Sequence, residues 1–240
     1  EDLMKIAFAK PGLPATGVVV VSAGAGSKLS ASAAKLDKKS GGALSRAIRA
    51  SSFEGKKGHS LNVLALAGTK LDEVMIVGLG KPGDITELEM QRLGGRIYAG
   101  TKQAKKGSVT VAVDAVTDAK ITAADIATEI AYGAKLRSYR FDKYRTKLKP
   151  AEKPNIKSLT LQCAGFANAR KKYASLGKVA DGVFFTRDLV SEPGNVIYPD
   201  TLAKQAKTLE KLGVKVQILG EAQMKRLGMG ALLGVGQGSA

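Results

Sequence analysis

The residues of this chain best spaced to do chemistry are glycines. Gly78-Leu-Gly80-Lys-Pro-Gly83 spells G-x-G-x-x-G behind an apolar run and ahead of a helical pattern. In a dinucleotide fold that spacing lets the backbone approach a pyrophosphate at a helix N-terminus. Pro82 removes one N–H from such a cradle. No acidic residue ends a following strand about 20 residues on, where a ribose would be held, and Asp114 comes too late. A tight strand-to-helix turn is the plainer meaning. Ser22-Ala-Gly-Ala-Gly-Ser-Lys28 is a second glycine-rich loop, without the G-x-x-x-x-G-K-S/T spacing of a phosphate loop.

The remaining reactive side chains are few. His59 is the single histidine and follows Gly58 in a turn, so a two-histidine zinc site is excluded and any Ser-His-Asp triad would rest on it alone. Cys163 is the single cysteine, ending an apolar strand, where a thiol usually acts as a small buried hydrophobe. Asp181, Asp188 and Glu192 follow what reads as the exposed face of one helix rather than a ligand cluster. From the residues alone, no catalytic, metal-binding or cofactor-binding side chain is assigned.

The elements that must position these residues alternate. Lys5–Ala9, Gly17–Ser22, Leu61–Leu66, Glu73–Val77, Ser108–Val113 and Ser158–Cys163 are short apolar or β-branched runs bounded by turn residues, hence strands. The run at Glu73–Val77 is nearly all apolar, as a strand buried on both faces would be. Ser40–Arg49, Leu88–Lys102 and Ala123–Arg137 carry helical spacing between them. Alternation of this kind predicts an α/β sheet with helices on both faces. Pro150–Pro154 is a loop, and the domain boundary falls near Gly165–Ala169, with a helix carrying the chain across. That helix shows in Leu176, Val179, Ala180, Val183 and Val190. Glu192-Pro193-Gly194-Asn195 stops it, and Asp200 and Thr201 can cap the next one, which Leu202, Leu209 and Leu212 continue. Val214–Leu219 and Ala231–Val235 read as strands, with Glu221–Gly228 helical between them.

Composition sets outer bounds. The chain has 240 residues, 44% hydrophobic and 25% charged, ordinary for a globular protein of one large or two modest domains. One cysteine excludes an intramolecular disulfide framework and suits a reducing compartment. No run reaches the roughly 20 apolar residues of a membrane span. Glu1 and Asp2 put acid where the basic opening of a secretory signal would stand. Glu1-Asp2-Leu3 reads equally as native or as added ahead of a native Met4, and a cytoplasmic location is expected. Charge is the unusual feature: 38 basic against 21 acidic residues, net +17, with +12 of it before Gly165. Such a field attracts polyanions, although lysines spread along the chain also suit a solvated surface. It is densest from Lys135 to Lys157, where Tyr139, Phe141 and Tyr144 interleave with the charges. Aromatics so placed either stack on bases or anchor a helix end to a core.

The wording of Arg187–Ala203, RDLVSEPGNVIYPDTLA, resembles the approach to the catalytic domain of the leucyl aminopeptidase family, cytosolic two-metal exopeptidases. Val214–Leu219, Glu221–Gly228 and Leu233–Ser239 resemble the first strand, next helix and following strand end of that domain. Gly42–Arg46 and Val77–Lys81 match the pattern of its N-terminal domain more loosely. The resemblance implies a macro-domain-like α/β lobe with a mixed sheet over 1–165. A connecting helix and a truncated start of the α/β catalytic domain would fill 166–240. It implies a full-length enzyme that holds two divalent ions, manganese or zinc, and cuts N-terminal residues, leucine preferred, from peptides as a homohexamer. The family's metal-binding and catalytic motifs read like VGKGxTFDTGG and NTDAEGR, and neither occurs here. No metal ligand can therefore be assigned to a position in this chain, and the chain alone is expected to be inactive. Because some bacterial members of the family also regulate through DNA, the alternative is a nucleic-acid-binding module that uses the basic lobe; no membrane partner is expected.

Overall fold

A computed structural model describes residues 4–238. Glu1-Asp2-Leu3 and the Ser239 end of the last expected strand lie outside the described residues. The chain runs β1 (Lys5–Ala9), β2 (Thr16–Gly24), β3 (Lys28–Leu29), α1 (Ala31–Lys39), α2 (Ala43–Arg49), β4 (Ser60–Leu64) and β5 (Lys70–Gly80). It continues through α3 (Glu87–Thr101), β6 (Ser108–Val113), α4 (Ala123–Ser138), β7 (Ser158–Cys163) and α5 (Phe166–Ser191). Three shorter helices follow, α6 (Pro199–Lys207), α7 (Glu221–Arg226) and α8 (Gly230–Gly236).

The strands form one mixed seven-stranded sheet in the order β1-β7-β6-β2-β5-β4, with β3 paired to β2. All neighbours along that path are parallel except β4, which runs antiparallel to β5 at one edge. Residues of β2 alternate as a pleated strand must. Val18 and Val20 enter one core, while Val19, Val21 and Ala23 enter the other. The first core is closed by Leu93 and Ile97 of α3, Ile130 and Ala134 of α4, and Ala169 of α5. The second is closed by Ala33 and Leu36 of α1 and by Leu44 and Ile48 of α2. Helices thus cover both faces, and β5 is buried without a break from Val74 to Gly80. Each such Val, Leu or Ile contributes about 1.5–3 kcal/mol through burial.

Local chemistry starts the helices where the pattern predicts. Thr122 accepts from the Asp125 N–H at 3.2 Å, while Asp125 accepts from the Thr122 N–H at 3.0 Å, a capping box for α4. Thr86 caps α3 through the Glu89 N–H at 3.3 Å. The helix expected over Ser40–Arg49 is α2, which starts three residues later at Ala43, and a further helix, α1, precedes it. Gly41 and Gly42, both at positive φ, break the chain between α1 and α2.

The chain divides into two compact units, one running to Phe185 and one from Thr186. Helix α5 begins where the domain boundary was expected, and its early turns belong to the first unit, where Ala169, Gly177 and Ala180 are buried. In the second unit, α6, α7 and α8 contain no buried residue, and none of the described residues from 186 on is buried. Two expected strands are corrected here. Residues 214–219 carry no strand pairing, and Ala231–Val235 lies within the helix α8. A strand needs a partner's backbone groups, whereas a helical turn satisfies its own.

Candidate functional site

The two glycine-rich loops, far apart in sequence, meet at the C-terminal ends of β2 and β5. These strands are parallel neighbours, and Gly24 pairs with Gly80. A third loop, 53–58, packs over both. Ser27 donates its N–H to the Glu54 carbonyl at 3.3 Å and its hydroxyl to the Phe53 carbonyl at 3.0 Å. Together they border an open cleft of about 520 Å³, lined by Gly26, Glu54, Lys56, Lys57, Lys81 and Asp84 among others. Its size suits a small ligand.

The hydrogen bonds within the loops decide what the glycines do. Gly78 donates to the His59 carbonyl and Gly80 to the Gly55 carbonyl, each at 2.9 Å. Lys81 donates its N–H to Asp84 Oδ2 at 2.8 Å, so the chain's own carboxylate occupies the place an anion would take. Pro82 has no N–H to offer. A Cβ on Gly78 would lie 2.1 Å from the Lys56 carbonyl oxygen, and one on Gly55 would lie 1.9 Å from that of Gly24. Gly78 and Gly55 are therefore demanded by backbone packing between loops, and the G-x-G-x-x-G spacing forms no pyrophosphate cradle. Around the cleft, the Lys56 ammonium is hydrogen-bonded to Glu54 and holds that carboxyl below its ordinary value.

The other candidates are dispersed. His59 is half-buried, its ring 6.4 Å from that of Phe53. Cys163 is fully buried in the first core, and burial pushes its thiol up to about 11, far from a reactive thiolate. Asp181 does more than face solvent: Lys135 Nζ donates to it at 2.6 Å and to the Gly177 carbonyl at 2.9 Å, tying α4 to α5. Asp188 is exposed and Glu192 half-buried in the second unit. Among the described residues, no three His, Cys, Asp or Glu side chains are grouped as metal ligands would be. None of the described helices is long and apolar enough to cross a membrane.

In the basic stretch the acids are already engaged. Arg140 Nε donates to Asp142 Oδ2 at 2.6 Å, and Arg145 lies 3.3 Å from Glu152. The hydrogen bond from Arg140 holds the Asp142 carboxyl below its ordinary value. Tyr139 packs on Phe184 with ring centroids 5.3 Å apart, an anchor for the end of α4. Asp114, too late in the chain to hold a ribose, instead accepts from both the N–H and the hydroxyl of Ser32 at 2.8 Å and so caps the start of α1. Its position at the end of an apolar strand was the available signal, but the partner lies 82 residues away.

Comparison with known proteins supplies what the geometry does not. A model of the cytosol aminopeptidase family's N-terminal domain matches residues 18–148, and one of the same family's catalytic domain matches residues 184–240. A probable cytosol aminopeptidase of Bradyrhizobium sp. is 42% identical over 243 residues, covering 100% of this chain and 48% of its own length. One from Chelativorans sp. is 43% identical over 235 residues, covering 98% and 46%. The chain thus spans about half the length of the curated relatives it matches. A solved tomato leucine aminopeptidase mutant is similar at a TM-score of 0.73 and 25% identity, over 93% of this chain and 46% of that one. The bottromycin maturation enzyme BotP, solved in complex with Mn, shares the fold at a TM-score of 0.63 and 20% identity, over 88% and 40%.

Proposed function

This chain belongs to the cytosol aminopeptidase family, and on that premise we propose that it is the N-terminal portion of a cytosolic leucyl aminopeptidase. The full-length protein would be a metalloexopeptidase that releases N-terminal residues, leucine preferred, from peptides. The observation that carries this reading is the succession of the two family domains, N-terminal over 18–148 and catalytic over 184–240. In this reading, residues 1–165 form a macro-domain-like lobe and 166–240 the connecting helix and first part of the catalytic domain. The same reading extends to homohexameric assembly and a cytoplasmic location of the full-length protein.

Two divalent ions, manganese or zinc, would activate the attacking water and offset the charge of the tetrahedral oxyanion. The described residues do not fit such a pair. His59 stands alone, Asp125 is hydrogen-bonded to Thr122 and Lys172, and Glu129 to Gln91. Metal chemistry is therefore assigned to the full-length protein and to no side chain here. The 240-residue chain should show no manganese- or zinc-dependent hydrolysis of Leu-p-nitroanilide, and a longer chain carrying the family's two metal motifs should gain it. Stoichiometric binding of either ion by the isolated chain, measured by titration calorimetry, would overturn the assignment.

The second reading is a nucleic-acid-binding module built on the basic lobe. It is favoured by the excess of basic over acidic residues in the first unit, +12 before Gly165.

A further inference from the structure

The two edges of the sheet are finished differently. Lys5 donates its N–H inward to the Lys157 carbonyl at 2.8 Å, so the alternating residues Ile6 and Phe8 of β1 turn their backbone groups outward. That outer side is guarded. The Phe8 carbonyl accepts from Arg170 Nη2 at 3.2 Å, Lys5 charges the start of the strand, and Pro11 follows closely behind its end at Ala9. Charges, prolines and covering side chains are the devices that keep an edge from pairing with another chain.

Strand β4, at the other edge, has no such guard among the described residues. Its sequence, Ser-Leu-Asn-Val-Leu, holds no charge and no proline, and its register with β5 runs from Ser60↔Val77 to Leu64↔Glu73 without a bulge. The Gly78 N–H donates to the His59 carbonyl at 2.9 Å, and the Ala65 N–H to the Asp72 carbonyl at 3.1 Å. Bonded pairs alternate with unbonded ones in an antiparallel ladder, so Leu61 and Val63 give their backbone groups to β5. Ser60, Asn62 and Leu64 then turn their N–H and C=O groups away from the sheet, where no other described strand pairs. All three are exposed, Leu64 at 72%. Leu61 and Val63 lie half-buried against the second core.

We propose that β4 is a self-association edge, where a second copy of this chain lays its own β4 antiparallel and joins the two sheets across a two-fold axis. The occupant follows from the register. Outward residues centred on Asn62 complement themselves: Asn62 faces the Asn62 of the second copy, and Ser60 faces its Leu64. Those pairs supply about six backbone hydrogen bonds. Leu61 meets the Val63 of the second copy as an unbonded pair, Cα to Cα about 4.5 Å, and closes apolar surface that each copy leaves half-covered. No like charges are forced together within the paired segment; the opposing force is the net charge of +17 on each chain. The proposal goes beyond the aminopeptidase reading and does not depend on it.

Analytical ultracentrifugation of the 240-residue chain reads the pairing. A ladder this short belongs with transient interfaces, so dimer should be evident at about 100 µM and nearly absent at about 1 µM. Raising salt from about 50 to about 300 mM screens the two charged chains and should tighten the dimer about twofold or more. Asn62→Pro removes an outward N–H and leaves the ladder to β5 intact. It should keep the far-ultraviolet dichroism and weaken dimerisation about tenfold or more. Disulfide trapping reads the register, because Cys163 is fully buried and a thiol added on β4 is exposed. Under oxidised glutathione Asn62→Cys should cross-link to itself, a bonded pair standing about 5.5 Å apart at Cα, within reach of a disulfide. Ser60→Cys alone should not, since the antiparallel offset separates its two copies by about 13 Å, but mixed with Leu64→Cys it should. If Asn62→Pro loses its dichroism, the trapping pattern decides alone. Wild-type chain that stays monomeric at about 100 µM would overturn the proposal and leave the edge to a strand of another protein. A dimer that a folded Asn62→Pro leaves unchanged, or Ser60→Cys cross-linking as readily as Asn62→Cys, would overturn it by placing the contact elsewhere. None of these outcomes touches the family assignment.

Discussion

The two units of this chain use the same local vocabulary and reach opposite ends. In the first, capped helices lie on a mixed, mainly parallel sheet, and residues such as Val19, Leu44, Ile97 and Leu159 are fully buried. In the second, α6 opens with Pro199 at its start and Asp200 in its first turn, as good a helix beginning as any upstream. Yet no described residue there is buried, and Leu212 and Val235 are 79% and 81% exposed. Capping and apolar spacing make helices in both; only a sheet gives them something to close over. Secondary structure is therefore decided within about ten residues, whereas a core is decided by strands that are far apart in the chain.

The widest expected difference between the units is kinetic. Trypsin should cut first within the second unit, at sites such as Arg187, Lys204, Lys207 and Lys225, and leave a resistant fragment that retains α5 to about Phe185. Mass spectrometry of the early products would read the cut sites. Early cleavage within α4 or α5 before residue 185, or a resistant second unit, would break the comparison. The buried Ala169, Gly177 and Ala180 place that limit later than the start of α5, where the residue pattern alone sets the domain boundary.

A single type of substitution should change sign between the units. In the first, α3 and α4 cross at Gly94 and Gly133; a Cβ on Gly133 would lie 1.9 Å from the Gln91 carbonyl oxygen. Gly133→Ala must push two helix backbones apart, and should cost about 3 kcal/mol or more in urea unfolding. In the second unit, Gly234 sits in α8 with nothing within 4 Å of a Cβ. Gly234→Ala there should gain up to about 1 kcal/mol of helix propensity, visible as added far-ultraviolet dichroism and no loss of the unfolding midpoint. A tolerated Gly133→Ala would mean the first unit is packed more loosely than its geometry states.

Particular residues show how far sequence alone reached. The bounds of β1, β6 and β7 are those read from the chain, because apolar runs framed by turn residues leave a strand no other length. Helix α1 escaped notice: only Ala33 and Leu36 of its nine residues are buried, too few to make a stripe. The strands expected at 214–219 and 231–235 failed for a different reason, since an apolar run of that length becomes strand or helix according to whether a partner ladder exists. The glycine-rich cleft was legible only as spacing. That Gly78 serves loop packing depends on Lys56, and that the Lys81 N–H is taken depends on how Asp84 turns back. Neither the Asp114–Ser32 cap nor the Lys135–Asp181 bridge leaves any local mark, because each joins segments more than 40 residues apart.

The smallest effect asks whether the first unit is tight enough to feel one charge. Glu129 of α4 is among its few buried ionisable groups. Burial raises its carboxyl above the ordinary value of 4.5, helped by the charges of Glu87 and Asp125, while Gln91 Nε2, donating at 2.7 Å, and Lys172 act the other way. A carboxyl with a raised folded pKa binds its proton more tightly in the native state than in the unfolded chain. Stability therefore falls as pH rises from the ordinary value through the raised one, and at neutral pH the native state carries the charge at a cost. Glu129→Gln removes that cost and keeps an amide to meet Gln91. It should stabilise the chain at pH 7 by up to about 1 kcal/mol and by much less near pH 4, where the wild-type carboxyl is already protonated. Urea midpoints of both proteins at the two pH values would decide it. A variant less stable than wild type at pH 7 would show that the contacts to Gln91 and Lys172 outweigh burial.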